Sequence, residues 1–337
     1  MPVSPSAPWS SGTATLPPAA SPSATLGTTE SAAWQQLSPD EAPASRSDHT
    51  WTADADGTSA WLFGGTGVDG PLDDLWRFDL TSDAWERLET TGDRPSARFG
   101  HVAAWVDGIG LVIWSGQAGS EFFNDLWAFD PASGEWGRLP DGGAVPPARY
   151  GSCAAIGPDG RLWISHGFTD SGRFDDTRAY DFASGRWNEV VSQGERPIKR
   201  CLHDCLWTPD GRFLLYAGQT DGQPALGDLW SLDPTSAVWT RQGRPEPEAR
   251  QLYALATLVS TAFVFGGADD ERRPLGSLFL LDLISSAWTE LQPDGELPAG
   301  RSGATLVADP GRDRLLLFGG IASDVPLGDI WQLDLAP

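Results

Sequence analysis

Short apolar or alternating segments separated by turn residues recur along the chain, and the second such unit shows the pattern most plainly. Residues 99–106 (FGHVAAWV) and 111–116 (LVIWSG) are separated by a glycine-containing turn. Residues 124–130 (NDLWAFD) and 135–139 (EWGRL) follow, separated by the turn PASG. Segments of this length and composition, bounded by Gly, Pro, Asp and Ser, are typical of β-strands. The unit is therefore predicted to contain four short strands.

Three sequence markers repeat in phase over six units, at intervals of 49 to 53 residues. The first marker is a residue pair ending in glycine, at Gly65, Gly116, Gly167, Gly218, Gly267 and Gly320. The second is a tryptophan, at Trp85, Trp136, Trp187, Trp239 and Trp288. The third is an arginine that opens each unit, at Arg46, Arg98, Arg149, Arg200, Arg250 and Arg301. A period near 50 residues with four strands per unit predicts an all-β, six-bladed β-propeller.

The two ends of the chain complement each other. The sixth unit stops after its third strand (GDIWQLD) and lacks a Trp strand, but Trp34 lies 51 residues before Trp85. We therefore expect an N-terminal outer strand around Trp34 to complete the last blade, which closes the ring and removes its open edge. Residues 33–337 are assigned to the propeller. Residues 1–32 are rich in Ser, Pro, Ala and Thr and are predicted to be a low-complexity tail without a core of its own.

The units resemble the repeats of a known family. Each contains part or all of the series R-x-G-H, glycine doublet, D-L-W-x-F-D and a single Trp. In these features the chain is similar to the kelch-repeat β-propellers of the galactose-oxidase-like/kelch superfamily, over residues 33–337. The resemblance implies the fold. It implies little about function, because one fold carries many activities.

Charge and cysteine content narrow the function classes. The formal net charge is −23, so nucleic acids and anionic membrane surfaces are disfavoured, whereas a basic partner is compatible. No apolar run approaches the roughly 20 residues of a transmembrane helix, and no insertion into a membrane is expected. The three cysteines, an odd number, predict no disulfide framework and favour a cytoplasmic or other intracellular reducing compartment.

The recurring polar and aromatic residues are interpreted as architectural. The opening arginines are expected to form a ring near one mouth of the channel, each pairing with a carboxylate or carbonyl; an anion-binding ring is the alternative. The repeated Trp residues are expected to pack between blades. His49, His101 and His203 adjoin the arginine position and are expected to be hydrogen-bonded parts of the inner strands.

Candidate chemistry is sparse, and neither a metal nor a cofactor is predicted. In the segment RCLHDC, Cys201 and Cys205 are four strand residues apart, about 13 Å at ~3.3 Å per residue. That separation is too long for two ligands of one zinc ion or for a disulfide between these two residues. The motifs G-x-S-x-G and H-E-x-x-H and a Walker loop are absent. A small propeller enzyme, of the sugar-mutarotase or metal-dependent specifier type, is the alternative function.

Partner binding is expected on the face that carries the longer loops, which connect the second and third strands. These loops vary from unit to unit, and scaffold proteins carry function on such loops. Aromatic and arginine side chains are common interface anchors. The candidates are Phe122, Phe123, Arg173, Phe174, Arg272 and Arg273. An alternative for the phenylalanines is that one in each loop packs onto its own blade. The leading hypothesis is a non-catalytic protein–protein interaction scaffold or adaptor, as a subunit of a larger assembly.

Overall fold

The computed structural model describes residues 32–243 and 247–335. Within those ranges the chain forms strands and turns without any helix. Six sheets, each with four antiparallel strands, are the blades of a β-propeller, so the fold predicted from the sequence is confirmed. The sheets of blades 3 and 6 each carry one additional short parallel strand, Gly142–Gly143 and Asp294–Gly295. No helix in the described ranges is long and apolar enough to cross a membrane.

Each blade runs from an inner strand at the channel to an outer strand at the rim. The inner strands are Thr50–Ala53, Val102–Val106, Cys153–Ile156, Asp204–Trp207, Ala254–Leu258 and Thr305–Asp309. The second strands are Ser59–Phe63, Gly110–Trp114, Leu162–Ser165, Phe213–Thr220, Thr261–Phe265 and Arg314–Phe318. The third strands are Leu75–Asp79, Leu126–Asp130, Thr177–Asp181, Gln223–Asp233, Leu278–Asp282 and Ile330–Asp334. The outer strands of blades 1 to 5 are Ala84–Leu88, Glu135–Arg138, Arg186–Glu189, Val238–Arg241 and Trp288–Leu291.

Short hairpins extend four of the blades between the second and third strands. They pair Thr66–Gly67 with Gly70–Pro71, Gln117–Ala118 with Glu121–Phe122, Phe168–Thr169 with Gly172–Arg173, and Ile321–Ala322 with Val325–Pro326. In blade 4 the two long strands themselves extend to Thr220 and Gln223. We call the side of the propeller that carries these hairpins the loop face. The opposite side, with the turns between third and outer strands, is the turn face.

Ring closure follows the sequence prediction. The strand Ala33–Leu37 pairs antiparallel with Ile330–Asp334 and is the outer strand of blade 6. Its start also pairs in parallel with Asp294–Gly295, the linker that leaves blade 5. Trp34 is buried and lies 5.4 Å from Phe265 of blade 5, ring centre to ring centre. Residues 1–31, almost all of the predicted tail, lie outside the described residues.

The seam between the last and first blades carries a buried charge network. Arg314 of blade 6 is 3% exposed and donates hydrogen bonds to Asp83 (2.5 Å) and to the carbonyl of Leu80 (3.1 Å), both of blade 1. It also donates to Asp309 of its own blade at 2.8 Å. Removing one member of such a buried pair is costly because the other is left uncompensated. The network therefore joins blades 6 and 1 directly, in addition to the closing N-terminal strand.

The outer-strand tryptophans pack between blades, as the sequence analysis expected. Trp136 of blade 2 lies 5.2 Å from Phe63 of blade 1, and Trp85 lies 5.2 Å from Phe318 of blade 6. Each partner is the last residue of the second strand in the preceding blade. A buried aromatic side chain removes on the order of 200 Å² of surface from water, so these contacts are a large part of the inter-blade core.

The cysteines behave differently from the prediction. Cys153 and Cys205, on the inner strands of blades 3 and 4, form a disulfide with their Cα atoms 5.5 Å apart. The sequence argument excluded only the pair Cys201 and Cys205, and Cys201 is indeed a free, buried thiol. It did not consider residues from adjacent blades, whose inner strands lie side by side. The expectation of no disulfide is therefore wrong, and the cysteine content gives no support for a reducing compartment.

Candidate functional site

The six repeated arginines lie inside the blades and do not line the central cavity. Their side chains are 0–1% exposed. Arg98 is representative: its Nη1 and Nη2 donate to the two carboxylate oxygens of Asp125 at 2.6 and 3.0 Å, and Nη1 also donates to the Ser115 carbonyl. A bidentate pair of this kind is strong and directional. With its donors engaged and its surface covered, the guanidinium is placed to hold strands together rather than to receive a ligand.

We call the arginines with their acidic partners the Arg–Asp layer. The acidic partners in blades 1, 2, 3, 4 and 6 are Asp74, Asp125, Asp176, Asp228 and Asp329. Burial raises the pKa of Asp125, but the hydrogen bonds and charge of Arg98 lower it by more, so it lies below its ordinary value. Asp125 also accepts a hydrogen bond from Trp127 Nε1 at 2.7 Å.

In blades 3 and 5, one or both of the residues that accompany the repeat arginine, the acid and the Trp that donates to it, are replaced by other residues. In blade 3 the residue in the place of that Trp is Arg178, whose Nε donates to Asp176 at 2.8 Å. In blade 5 the acid is replaced by Ser277 and the Trp by Phe279, so the carboxylate and the indole donor are missing together. Arg250 is still fully buried, and its nearest carboxylate is that of the exposed Glu248, 3.6 Å away.

Two of the candidate anchors pack against arginines of the Arg–Asp layer. Phe123 lies under the guanidinium of Arg98, with 4.2 Å from Cζ to the ring centre, and Phe174 lies under Arg149 at 3.8 Å. The backbone of Phe123 bonds to Gly116 and Arg149. The corresponding positions of the other blades are Leu72, Leu226, Leu275 and Leu327. Phe123 and Phe174 thus pack onto their own blades, which is the alternative that the sequence left open.

The other two candidates in these blades, Phe122 and Arg173, occupy one equivalent position and approach the same ring. Phe122 of blade 2 lies 6.2 Å from Phe168 of blade 3. The Cζ of Arg173 lies 5.3 Å from the centre of Phe168, and Arg173 forms an ion pair with the exposed Asp221 of blade 4. The hairpins of blades 2 and 3 are therefore joined by side chains on the loop face.

Two further aromatic residues, Phe99 and Tyr150, complete this cluster; the sequence analysis named neither of them, nor Phe168, as a candidate. Phe99 lies 5.9 Å from Tyr150, which in turn lies 6.1 Å from Phe168. All of these rings are half-buried. We call Phe99, Phe122, Tyr150, Phe168 and Arg173 the aromatic site. The available signal was the residue after each repeat arginine, which is aromatic only in units 2 and 3 and is otherwise Ser47, Cys201, Gln251 and Ser302.

Arg272 and Arg273 lie on the loop of blade 5. Arg273 is exposed and forms ion pairs with Asp269 at 2.7 Å and Glu271 at 3.0 Å. Arg272 is also exposed, and its charge acts on the aromatic site. Burial and the charge of Asp48 raise the pKa of Tyr150, while Arg173 and Arg272 oppose that rise. Arg272 is thus part of the charged surroundings of the site.

A closed circle of backbone hydrogen bonds surrounds the channel at the loop face. Each inner strand is preceded by a residue in the left-handed region, with φ between 54° and 66°. The N–H of each donates to the carbonyl of its counterpart in the preceding blade, over 2.8–3.1 Å. The six residues are Asp48, Gly100, Gly151, Leu202, Leu252 and Gly303. This mouth ring is the rim of a cavity of about 290 Å³ among the inner strands.

The histidines of the inner strands are buried and neutral. Thr50 and Thr305 share hydrogen bonds with Nε2 of His101 (2.8 Å) and His49 (2.7 Å), respectively. Burial lowers the pKa of His49 and of His203 well below the ordinary value, and burial together with Arg98 lowers that of His101 to about 3. In the part of the chain that the structure describes, no three or more His, Cys, Asp or Glu residues are grouped to hold a metal ion.

Two carboxylates line the cavity. Asp48 accepts a hydrogen bond from the Ser47 hydroxyl at 2.8 Å. Asp204 has no hydrogen-bond or ion-pair partner for its carboxylate among the described residues. Burial raises the pKa of Asp48, and it raises that of Asp204 to about 7. The cavity is thus a small, acidic compartment directly below the loop face.

The repeat, the Arg–Asp layer and the glycine doublets define a six-bladed kelch-type propeller. The chain belongs to the kelch-repeat family: the model described as the KLHDC2/KLHL20/DRC7 Kelch-repeats domain matches residues 18–218 and 192–337. The family resemblance drawn from the sequence is confirmed.

Several curated proteins are similar to the chain. Leucine-zipper-like transcriptional regulator 1 of Pongo abelii is 30% identical over 79% of this chain and 33% of its own length. Kelch domain-containing protein 2 of Bos taurus is 29% identical over 77% of the chain and 72% of its own length. Serine/threonine-protein phosphatase BSL2 of Arabidopsis thaliana is 30% identical over 69% of this chain and 26% of its own length. The chain thus spans about a third or less of the length of two of these relatives.

Proposed function

We propose that this protein is a non-catalytic interaction scaffold that holds a protein partner on its loop face, anchored at the aromatic site. The observation that carries the proposal is the continuous group of half-buried rings at Phe99, Phe122, Tyr150 and Phe168, which spans two blades. Aromatic side chains flanked by an arginine are typical centres of protein interfaces.

The position of these rings supports the same proposal. At the equivalent positions, blades 5 and 6 carry Gln251, Ser302, Pro274 and Pro326, so the aromatic site is not needed to build a blade. Residues that a repeated fold does not require are candidates for function. The net charge of the whole chain, −23, favours a partner segment of basic character.

The enzyme alternative has weaker support. The channel mouth contains two carboxylates on blades 1 and 4, and the neighbouring histidines are buried and neutral, so no base is paired with a nucleophile there. A sugar-handling activity would instead require several polar groups converging on one position. The phosphatase name of one relative belongs to a protein of which the chain matches about a quarter.

Affinity capture tests the proposed function. The full chain serves as bait, and retained proteins are identified by mass spectrometry and then measured individually for binding. Phe122→Ala combined with Phe168→Ala should weaken partner binding by well over tenfold, because truncating an interface anchor costs ~2 kcal/mol or more. The matched control is Val68→Ala with Val325→Ala, which also truncates exposed apolar residues of the loop face, on blades 1 and 6. Equal loss in both variants, or retention in the phenylalanine variant, would contradict the proposal.

A further inference from the structure

We propose that the partner segment bound at the aromatic site places a basic side chain, a lysine or an arginine, in the central cavity, where Asp48 and Asp204 receive its charge. This inference rests on the proposed protein-binding function of the loop face. It adds the charge of one partner residue and the place where that residue is held.

The carboxylates of the cavity wall have no positively charged side chain beside them in that wall. Asp48 belongs to blade 1 and Asp204 to blade 4, so in a ring of six blades they stand on opposite sides of the channel. The wall contains no Lys or Arg side chain. Among the basic residues of the loop face, Arg173 is already paired with Asp221, and Arg272 lies on the loop of blade 5. A cation that enters the cavity therefore meets two carboxylates and no competing positive charge.

The environment of Asp204 differs from that of the aspartates in the Arg–Asp layer. Asp125 accepts hydrogen bonds from Arg98 and from an indole, whereas the carboxylate of Asp204 accepts none from the described residues. The Tyr253 hydroxyl is not available to this carboxylate, because it donates its proton to the Tyr216 carbonyl and accepts from the Asp204 backbone N–H. Asp204 is half-buried in the cavity wall. A carboxylate that is partly removed from water and has no partner is unfavourable, and a bound cation would relieve that cost.

The cavity wall also suits the stem of a long basic side chain. Between the two acids it presents apolar groups, among them Val102, Ala154 and Leu255. Lysine and arginine bury their methylene stems against apolar surface while the charged end stays in a polar environment. An anionic side chain would be repelled here, and a neutral one would leave Asp204 without a partner.

The aromatic site and the cavity are adjacent. The ring of Tyr150 lies against Gly100, a member of the mouth ring, and Asp48 of the same ring is close enough to raise the pKa of Tyr150. An extended segment that packs an apolar side chain on Phe122 and Phe168 can therefore place a neighbouring residue over the mouth. The approach past aromatic faces is itself favourable for a cation.

Binding of the cation should depend on pH. The titratable groups that face the cavity are Asp48, His49, His101, His203, Asp204 and Tyr253. The three histidines remain neutral, and Tyr253 has a pKa raised well above its ordinary value by burial. Asp204 has a pKa of about 7 without a ligand, so it must lose a proton to pair with the cation. The affinity should accordingly fall as the pH drops below about 7.

A randomised peptide library selected on the full chain tests this inference. Selected peptides that lose binding to Phe122→Ala with Phe168→Ala should share a lysine or arginine. Replacing that residue by methionine should weaken binding about tenfold or more, equal to 1.4 kcal/mol. Asp204→Asn should weaken the parent peptide similarly but leave the methionine peptide unaffected, and Asp48→Asn should act in the same direction.

The control variant is Asp170→Asn, which removes the same charge from an exposed position of the loop face outside the cavity. It should change the affinity little. Peptides that depend on the phenylalanines but tolerate loss of their basic residue, or bind wild type and Asp204→Asn equally, would overturn the inference and leave the protein-binding proposal intact. A library without any binder that depends on the phenylalanines would contradict the protein-binding proposal as well.

Discussion

The Arg–Asp layer and the loop face are built from the same six repeats, yet they treat the repeat in opposite ways. In the Arg–Asp layer a buried arginine occurs in every blade and a carboxylate partner in five of them. On the loop face the residue that follows each of these arginines changes from Ser47 to Phe99, Tyr150 and Cys201. Neighbours in the chain are thus subject to different constraints.

The comparison separates side chains that build every blade from side chains that are candidates for partner binding. A side chain that recurs in each blade solves a problem that each blade has, such as holding the second strand to the third. Phe123 and Phe174 belong to this group, because leucine takes their place in the other blades. A position that is aromatic in only one or two blades solves no general problem of the fold. Phe99 and Tyr150 share a position that is aromatic in blades 2 and 3 only, and the position of Phe168 is aromatic in blade 3 only.

The largest effect is expected from opening the ring. Deleting residues 1–40 removes the strand Ala33–Leu37 and leaves blade 6 with three strands. Deleting residues 1–30 removes none of the described contacts. Thermal melts should therefore show a severe loss of stability for the longer deletion and little change for the shorter one. Equal melting temperatures for the two truncated proteins would be incompatible with closure by this strand.

Much of this architecture could be predicted from the sequence, because it depends on period and local pattern. The closing strand followed from a single tryptophan, Trp34, in phase with the others. Contacts between blades were harder to predict. Cys153 and Cys205 are 52 residues apart, and the sequence does not show which inner-strand positions of adjacent blades face each other. Of the aromatic site, the sequence analysis named only Phe122 and Arg173 as candidates. The other members, Phe99, Tyr150 and Phe168, directly follow repeat markers and were not considered.

The next largest effect is expected from breaking a buried ion pair, which should reduce stability much more than breaking an exposed one. Arg98→Ala leaves Asp125 buried without its main partner and should cost about 3–5 kcal/mol of unfolding free energy. Arg77→Ala removes a pair with Glu86 of which both side chains are about half exposed, and should cost about 0–1 kcal/mol. Denaturant unfolding of both variants measures the difference. Similar losses of unfolding free energy in the two variants would show that the Arg–Asp layer stabilises the fold no more than an exposed ion pair does.

A smaller effect is expected from Asp204, and its sign depends on pH. Burial raises the pKa of this carboxyl from 3.8 to about 7, so the folded protein holds its proton more tightly than the unfolded chain does. The native state therefore loses stability as the pH rises from about 4 to about 7, and the loss is complete above that range. Asp204→Asn should be more stable than wild type at pH 8, with a gain that shrinks towards pH 4. A gain that is independent of pH would contradict this account.

The smallest effect should come from repairing the exception in the Arg–Asp layer. Ser277→Asp gives the buried Arg250 the carboxylate that its counterparts have, and should raise the unfolding free energy by about 1.5 kcal/mol. Ser277→Asn has the same shape without the charge and should raise it less. Thermal and denaturant melts compare the two variants. If the asparagine variant is stabilised as much as the aspartate variant, charge pairing is not what the layer contributes.

Hydrogen–deuterium exchange of the full chain, with and without a captured partner, tests most directly whether the aromatic site is the binding surface. The account predicts slower exchange in the hairpins Gln117–Phe122 and Phe168–Arg173 and around Tyr150. Turn-face segments such as 131–134 and 182–185 should exchange as they do in the free protein. Protection confined to the turn face, with the two hairpins unchanged, would contradict the central claim.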